Sequence, residues 1–188
     1  MGVIDSVSET LRTVLDAELA TLVPPCTAEI SDLLGTIPTT PPRMTLFLYE
    51  LVEDPSARNR PRTRGDVPPD VTLHKARIAL LLRYLLTPWS DDPKTDQLML
   101  ERTLQTFYDT PILSGTLLQA DLANTAEALR LTLLPLSLED KTRIWYSIQQ
   151  AYRISVVYEV RVIELDTTVQ EQLTPVSQRG ARFREVRP

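Results

Sequence analysis

An α+β fold is what this chain predicts, and three observations predict it. Residues 44–52 are apolar on both alternating sets, Met44, Leu46 and Leu48 on one side and Phe47, Tyr49 and Leu51 on the other. A strand covered on both faces, and so central in its sheet, has this pattern. Residues 154–162 place Ile154, Val156, Tyr158, Val160 and Val162 on one face and Glu159 and Arg161 on the other, the period of a half-buried strand. Two further stretches, 4–22 and 93–107, repeat their apolar residues at helical spacing. At 188 residues and 43% hydrophobic, the chain suits one domain with a real core, or one domain and a tail.

The elements are taken in chain order. Ile4, Val7, Leu11, Val14, Leu15, Leu19 and Leu22 make the apolar stripe of a first helix. Ser6 and Glu9 have the spacing of a capping box near its start, and Pro24-Pro25 stops it. A short strand fits Thr27 to Ser31; Pro38, Pro41 and Pro42 make the next stretch a connection. After the 44–52 strand, residues 55–70 hold four Arg, two Asp and four Pro, a net charge of +2. Within that loop Arg58, Arg60, Arg62 and Arg64 alternate.

The stretch from Val71 to Trp89 is ambiguous. Its Leu-rich run from Ile78 to Leu86 favours helix by propensity, yet its Pro-rich boundaries suit a buried strand paired with 44–52. Asp92-Pro93 opens the next helix, an acceptor at the cap and Pro at the first helical position. Leu100, Leu104 and Phe107 come at i, i+4 and i+7, and Pro111 ends the helix. Leu113 to Thr125 reads as an irregular connection. Leu129, Leu131 and Leu133 alternate with Arg130 and Thr132 as a half-buried strand. Ser137 caps a short helix with Glu139 and Asp140 in its first turn. That helix leads into the last strand, and Trp145 is expected to pin it to the core on which the strand lies. From Asp166 the pattern dissolves, and the last ten residues carry Arg179, Arg182, Arg184 and Arg187 against one Glu. Residues 1–165 are therefore expected to form the domain and 166–188 an extended, mobile or partner-bound tail.

Composition excludes several function classes. A net charge of −5 argues against gripping a nucleic-acid backbone. Only 5 Gly leave little room for a phosphate cradle, and 15 Pro suggest stiff connections. The lone Cys26 has no partner for a disulfide or a cysteine-based zinc site, which fits a reducing compartment. There is no apolar run of transmembrane length and no signal-peptide pattern at the start, so no direct membrane insertion is expected. Met1 to Ser6 matches a short myristoylation pattern, and Arg64-Gly-Asp66 an adhesion tripeptide. Both are short enough to arise by chance.

Nothing in the chain assembles into catalytic machinery. His74 is the only histidine, no nucleophile elbow surrounds any serine, and phosphate-loop, dinucleotide and zinc-protease motifs are missing. Asp91-Asp92 and Glu139-Asp140 read as helix entrances, where negative charge meets the positive end of the helix dipole. No catalytic, cofactor or metal residue is therefore assigned, and no cofactor is expected. The alternating arginines read either as a solvated loop or as an electrostatic contact with an acidic partner. Trp89, Trp145, Tyr146 and Tyr152 are core residues or interface anchors; the spacing of Trp145 with Ile148 favours core for Trp145.

Six blocks taken in order carry a family resemblance. They are Pro42 to Glu50, Arg58-Asn-Arg-Pro61, Leu82 to Trp89, Thr110 to Ser114, Leu129 to Pro135 and Arg143 to Leu165. Together, across about Val3 to Leu165, they resemble the cap proteins of phage-tail-like contractile injection systems. The resemblance implies a tail-terminator-like fold, a single mixed, mainly antiparallel sheet flanked by helices. In it the Leu82 to Trp89 block lies beside 44–52, so 71–86 is expected as strand.

The resemblance further implies a non-enzymatic cap that closes the baseplate-distal end of the inner tube and anchors the last sheath ring. The expected partners are copies of the chain in a hexameric ring, an inner tube protein and a sheath protein, with no nucleic acid. The expected location is the cytoplasm, within a particle released on lysis. Arg58, Arg60, Arg62, Arg64, Arg179, Arg182, Arg184 and Arg187 are the candidate partner contacts, as bidentate partners for carboxylates. A non-ring adaptor or assembly chaperone for a tube or sheath protein is the alternative, and an enzyme of unrecognised type a further one.

Overall fold

The computed structural model describes residues 2–57, 63–65, 71–74, 78–165 and 170–173, with side chains for 2–57 and 78–162. Three helices and nine strands are present among them: α1 Val3–Leu19, β1 Thr27–Ile30, β2 Arg43–Glu53, β3 Thr63–Gly65, β4 Val71–His74, β5 Ile78–Trp89, α2 Pro93–Asp109, β6 Ile112–Ser114, β7 Ala128–Leu133, α3 Leu138–Ser147, β8 Val156–Leu165 and β9 Gln170–Leu173. Six strands form one mixed sheet in the order β1-β2-β5-β8-β7-β6, and β3-β4-β9 form a second, three-stranded sheet. Among the described pairings only β1-β2 is parallel.

The six-stranded sheet has a different core on each face. On one face, Val7, Leu11, Leu15 and Leu19 of α1 and Met99, Leu100 and Phe107 of α2 bury Met44, Leu46, Leu82, Tyr84, Leu131, Tyr158 and Val160. Fully burying each such side chain is worth about 1.5–3 kcal/mol. Ser8 and Tyr84 hydroxyls, 2.8 Å apart, satisfy one another inside this core. The opposite face carries Leu33, Leu85, Trp89, Trp145 and Val157. Here Trp89 Nε1 donates to Thr45 Oγ1 at 2.9 Å, and Arg153 lies 4.6 Å over the Trp89 ring while pairing with Asp96 at 3.1 Å. Leu33, at φ 59°, holds a left-handed conformation that costs a non-glycine residue about 1–2 kcal/mol. Its side chain is wholly buried, and Gln150 Nε2 donates to the carbonyls of Leu33 and Gly35 at 3.2 and 2.8 Å, clamping the loop to the end of α3.

Most expected elements are present, with instructive departures. Helix α1 begins at Val3 with Gly2 as its cap, and no capping box forms. Ser6 Oγ instead donates to Gly2 O at 3.0 Å and receives Asp121 N at 3.2 Å, while Glu9 pairs with Arg12 at 2.8 Å. Two distant demands, the helix start and the 120s loop, converge on one hydroxyl. Strand β2 lies one place in from the edge rather than at the centre, with only β1 outside it in the six-stranded sheet.

The expected 71–86 strand is divided: β4 belongs to the small sheet, and β5 runs on to Trp89. Part of the expected connection after α2 is strand β6, followed by two short 3-10 turns. Ile154 is exposed and precedes β8, and Val157 buries into the second face. Trp145 packs on that second face too, not on the core beneath Tyr158 and Val160. The caps at Asp92 and Ser137 are as expected: Asp92 accepts from Lys94 N and Thr95 N, and Ser137 from Asp140 N.

Candidate assembly interface

The sheet is bounded by β1 on one side and by β6 with the end of β7 on the other, and both edges expose apolar side chains. At the β7 edge, strand β6 pairs only with Ala128 to Arg130. Beyond it, Leu131 N donates to Pro111 O at 2.9 Å, and Leu134 N turns back to Val157 O at 2.8 Å. Antiparallel strands alternate the direction of their backbone groups, so Leu131 and Leu133 face outward. Pro111 has no N–H to offer Leu131 O, and among the described residues no strand pairs with Leu133 on this side. Between this edge and the end of α2 runs an apolar groove of about 590 Å³, lined by Leu104, Phe107, Tyr108, Leu131, Leu133 and Tyr158 among others. Tyr108 is 85% exposed and Leu133 49%. Monomeric surfaces rarely gather large apolar side chains in this way unless something docks on them.

The β1 edge is partly guarded. Thr27 N bonds to Pro42 O and Ser31 N to Leu46 O, both on the β2 side, so Ala28 and Ile30 face outward. Asp16 Oδ1 of α1 accepts from Ala28 N at 2.8 Å, occupying that donor. Ile30 and Leu34 are exposed beside it. Leu138 and Tyr146 of α3, and Tyr152 and Ile154 after it, are exposed as well.

A charged ladder crosses the face opposite the α1/α2 core. Glu50, Arg83, Glu159 and Thr132 share one row of the sheet. Arg83 donates to Glu50 at 2.7 Å and to Glu159 at 2.9 Å. These hydrogen bonds, Glu50 first and then Glu159, raise its pKa further. In the next row Arg161 pairs with Asp54, while Arg130, its register partner on β7, is exposed and makes no ion pair among the described residues.

Of the arginines singled out by sequence, Arg58, Arg60, Arg62, Arg179, Arg182, Arg184 and Arg187 lie outside the described residues. Arg64 lies in β3, where its backbone registers with Leu73, and His74 ends β4 opposite Gln170. Among the described residues no group of His, Cys, Asp and Glu is placed to hold a metal ion, and no helix is long and apolar enough to cross a membrane. Burial pushes the Cys26 thiol above its ordinary value, which disfavours the reactive thiolate. Trp89 and Trp145 are core residues, whereas Tyr146 is 85% exposed.

Sequence reasoning missed Tyr108 and Leu133. The adjacent Phe107-Tyr108 pair held a signal, because successive helical residues point about 100° apart and one aromatic had to leave the core. Leu133 continues a buried alternation and gave none.

Fold and surface define a class: an α+β domain built on one mixed sheet, a core on each face and apolar side chains at both edges. The chain belongs to the family described as the Pvc16 N-terminal domain, whose model matches residues 6–179. Its fold is similar to that of a solved sheath/tube terminator of an extracellular contractile injection system, PVC, in the extended state. That match has a TM-score of 0.67 and 19% identity, over 99% of this chain and 64% of that one. It is also similar to the anti-feeding prophage cap, a tube-terminating cap, with a TM-score of 0.62 and 19% identity over 97% of this chain and 62% of that one. The chain thus spans just under two thirds of either structure. None of the curated proteins matches it significantly.

Proposed function

We propose that this chain is a structural cap, or tail terminator, of a contractile injection system. In this reading it closes the baseplate-distal end of the inner tube, anchors the last sheath ring and catalyses no reaction. The observation that carries the reading is the extent of the likeness: a family match over residues 6–179, and terminator folds followed over 97% or more of the chain.

The physics suits the task. A terminator must present a fixed surface to the tube, and a sheet clamped by a core on each face deforms little. Copies of the chain would form a hexameric ring through heterologous contacts that close by rotation. Residues 1–165 would supply the ring body and 166–188 an arm toward tube or sheath. Arg58, Arg60, Arg62, Arg64, Arg179, Arg182, Arg184 and Arg187 would pair with partner carboxylates. Assembly would take place in the cytoplasm.

Deleting the gene and imaging particles by electron microscopy tests the reading. Tubes or sheaths of uncontrolled length, without density at the baseplate-distal end, are expected. Particles of normal length with an intact cap would overturn it.

A further inference from the structure

The two edges of the six-stranded sheet complement each other. β1 is parallel to β2, and three antiparallel steps lead from β2 through β5 and β8 to β7. β1 and β7 therefore run antiparallel, and the β1 edge of one copy can add to the β7 edge of the next without turning either sheet over. Their side chains then match by face. Ile30 lies on the α1/α2 face, as does its register partner Leu46, and Leu131 and Leu133 lie on that same face beside the apolar groove.

The backbone groups select one register. Leu131 N is already taken by Pro111 O, so Ile30 cannot form a doubly bonded pair with Leu131. Opposite Leu133 it can, each N–H meeting the other's C=O. The same register sets Ala28, whose N–H is held by Asp16, against Pro135, which has no N–H, so pairing ends on both strands at one place. At the other end it sets Asp32 against Leu131.

We propose that the β1 edge of one copy adds to the β7 edge of the next, Ile30 opposite Leu133, so that the sheets run on from copy to copy. This rests on the ring reading above and names its subunit contact. It buries Ile30 in the groove beside Phe107 and Tyr108, closes the exposed edges and leaves the α3 face free for other partners.

The test uses the full chain with Ile30→Asp and Leu133→Asp, both at partly exposed positions, with circular dichroism and urea unfolding to check the fold. Native mass spectrometry on wild type is expected to show a ring. Each variant alone is expected to associate at least tenfold more weakly, and an equimolar mixture of the two to stop at a dimer, because one intact edge of each kind remains. In a second arm, Ile30→Cys with Leu133→Cys on a Cys26→Ala background is oxidised. A ladder of covalent oligomers is expected from the double variant and none from either single one, since paired strands bring Cα atoms within disulfide reach. Rings that persist in both Asp variants, with no cross-linked ladder, would overturn the edge pairing and leave the ring standing. A wild-type chain that stays monomeric at all concentrations would overturn both.

Discussion

The buried Ser8–Tyr84 pair offers a sharp test of the α1-to-sheet contact. Burial pushes the Tyr84 phenol up to about 12; the Ser8 hydrogen bond opposes part of the rise and the Asp5 charge adds to it. The neutral phenol is thus favoured in the folded state relative to its ordinary value of 10.0. A group raised on folding contributes stability that is complete below its unfolded pKa and lost as pH climbs through its folded one. The window here is pH 10 to 12. A rise of this size is worth roughly 2.7 kcal/mol in full, and about 1.4 kcal/mol of it is gone at pH 11.

Tyr84→Phe removes the titrating group. Ser8 Oγ keeps its bond to Ile4 O at 3.2 Å, so the variant loses one hydrogen bond without stranding a donor. At pH 8 it is expected to be about 1 kcal/mol less stable than wild type. At pH 11 wild type has lost what the variant cannot lose, and the gap is expected to close. Tyr49 and Tyr158, also raised by burial, are present in both proteins and cancel. Urea unfolding of both chains at the two pH values measures this. A gap equally wide at pH 8 and pH 11 would refute the reasoning.

Three further outcomes rest on named contacts. Trp145→Ala should cost about 3–5 kcal/mol in urea unfolding, because the indole is the largest fully buried side chain among the described residues and joins α3 to Leu33, Leu85 and Trp89. Arg83→Ala should cost about 2 kcal/mol by the same measure, since it removes the guanidinium that bonds both Glu50 and Glu159. Asp16→Ala should cost about 1 kcal/mol and open the guarded half of β1; light scattering is expected to show more self-association than wild type at equal concentration.

The range of the forces involved decides which parts of this protein were legible in one dimension. Helix α2 and its Asp92 cap, α3 and its Ser137 cap, and the alternation of β7 and β8 are set by interactions within a few residues. Local spacing and capping chemistry therefore found them. The six family blocks pointed to the terminator fold as well. Segment 78–89 shows where local rules stop. Its leucines favour helix, and it is a strand because β2 and β8 flank it and a core covers each face. Tertiary packing there outweighs a propensity difference of a few tenths of a kcal/mol per residue.

By itself, then, the sequence determined an α+β chain with its main helices, strands and caps, and the six blocks that point to the terminator fold. Only the tertiary structure decided that there are two cores rather than one. It placed Trp145 across the sheet from Tyr158 and exposed Ile30 and Leu133 at the sheet edges. The physical reason is that an edge is a property of what is missing beside a strand. Leu133 reads like Leu129 and Leu131 in the chain, and it is exposed because Pro111 ends the neighbouring strand before reaching it.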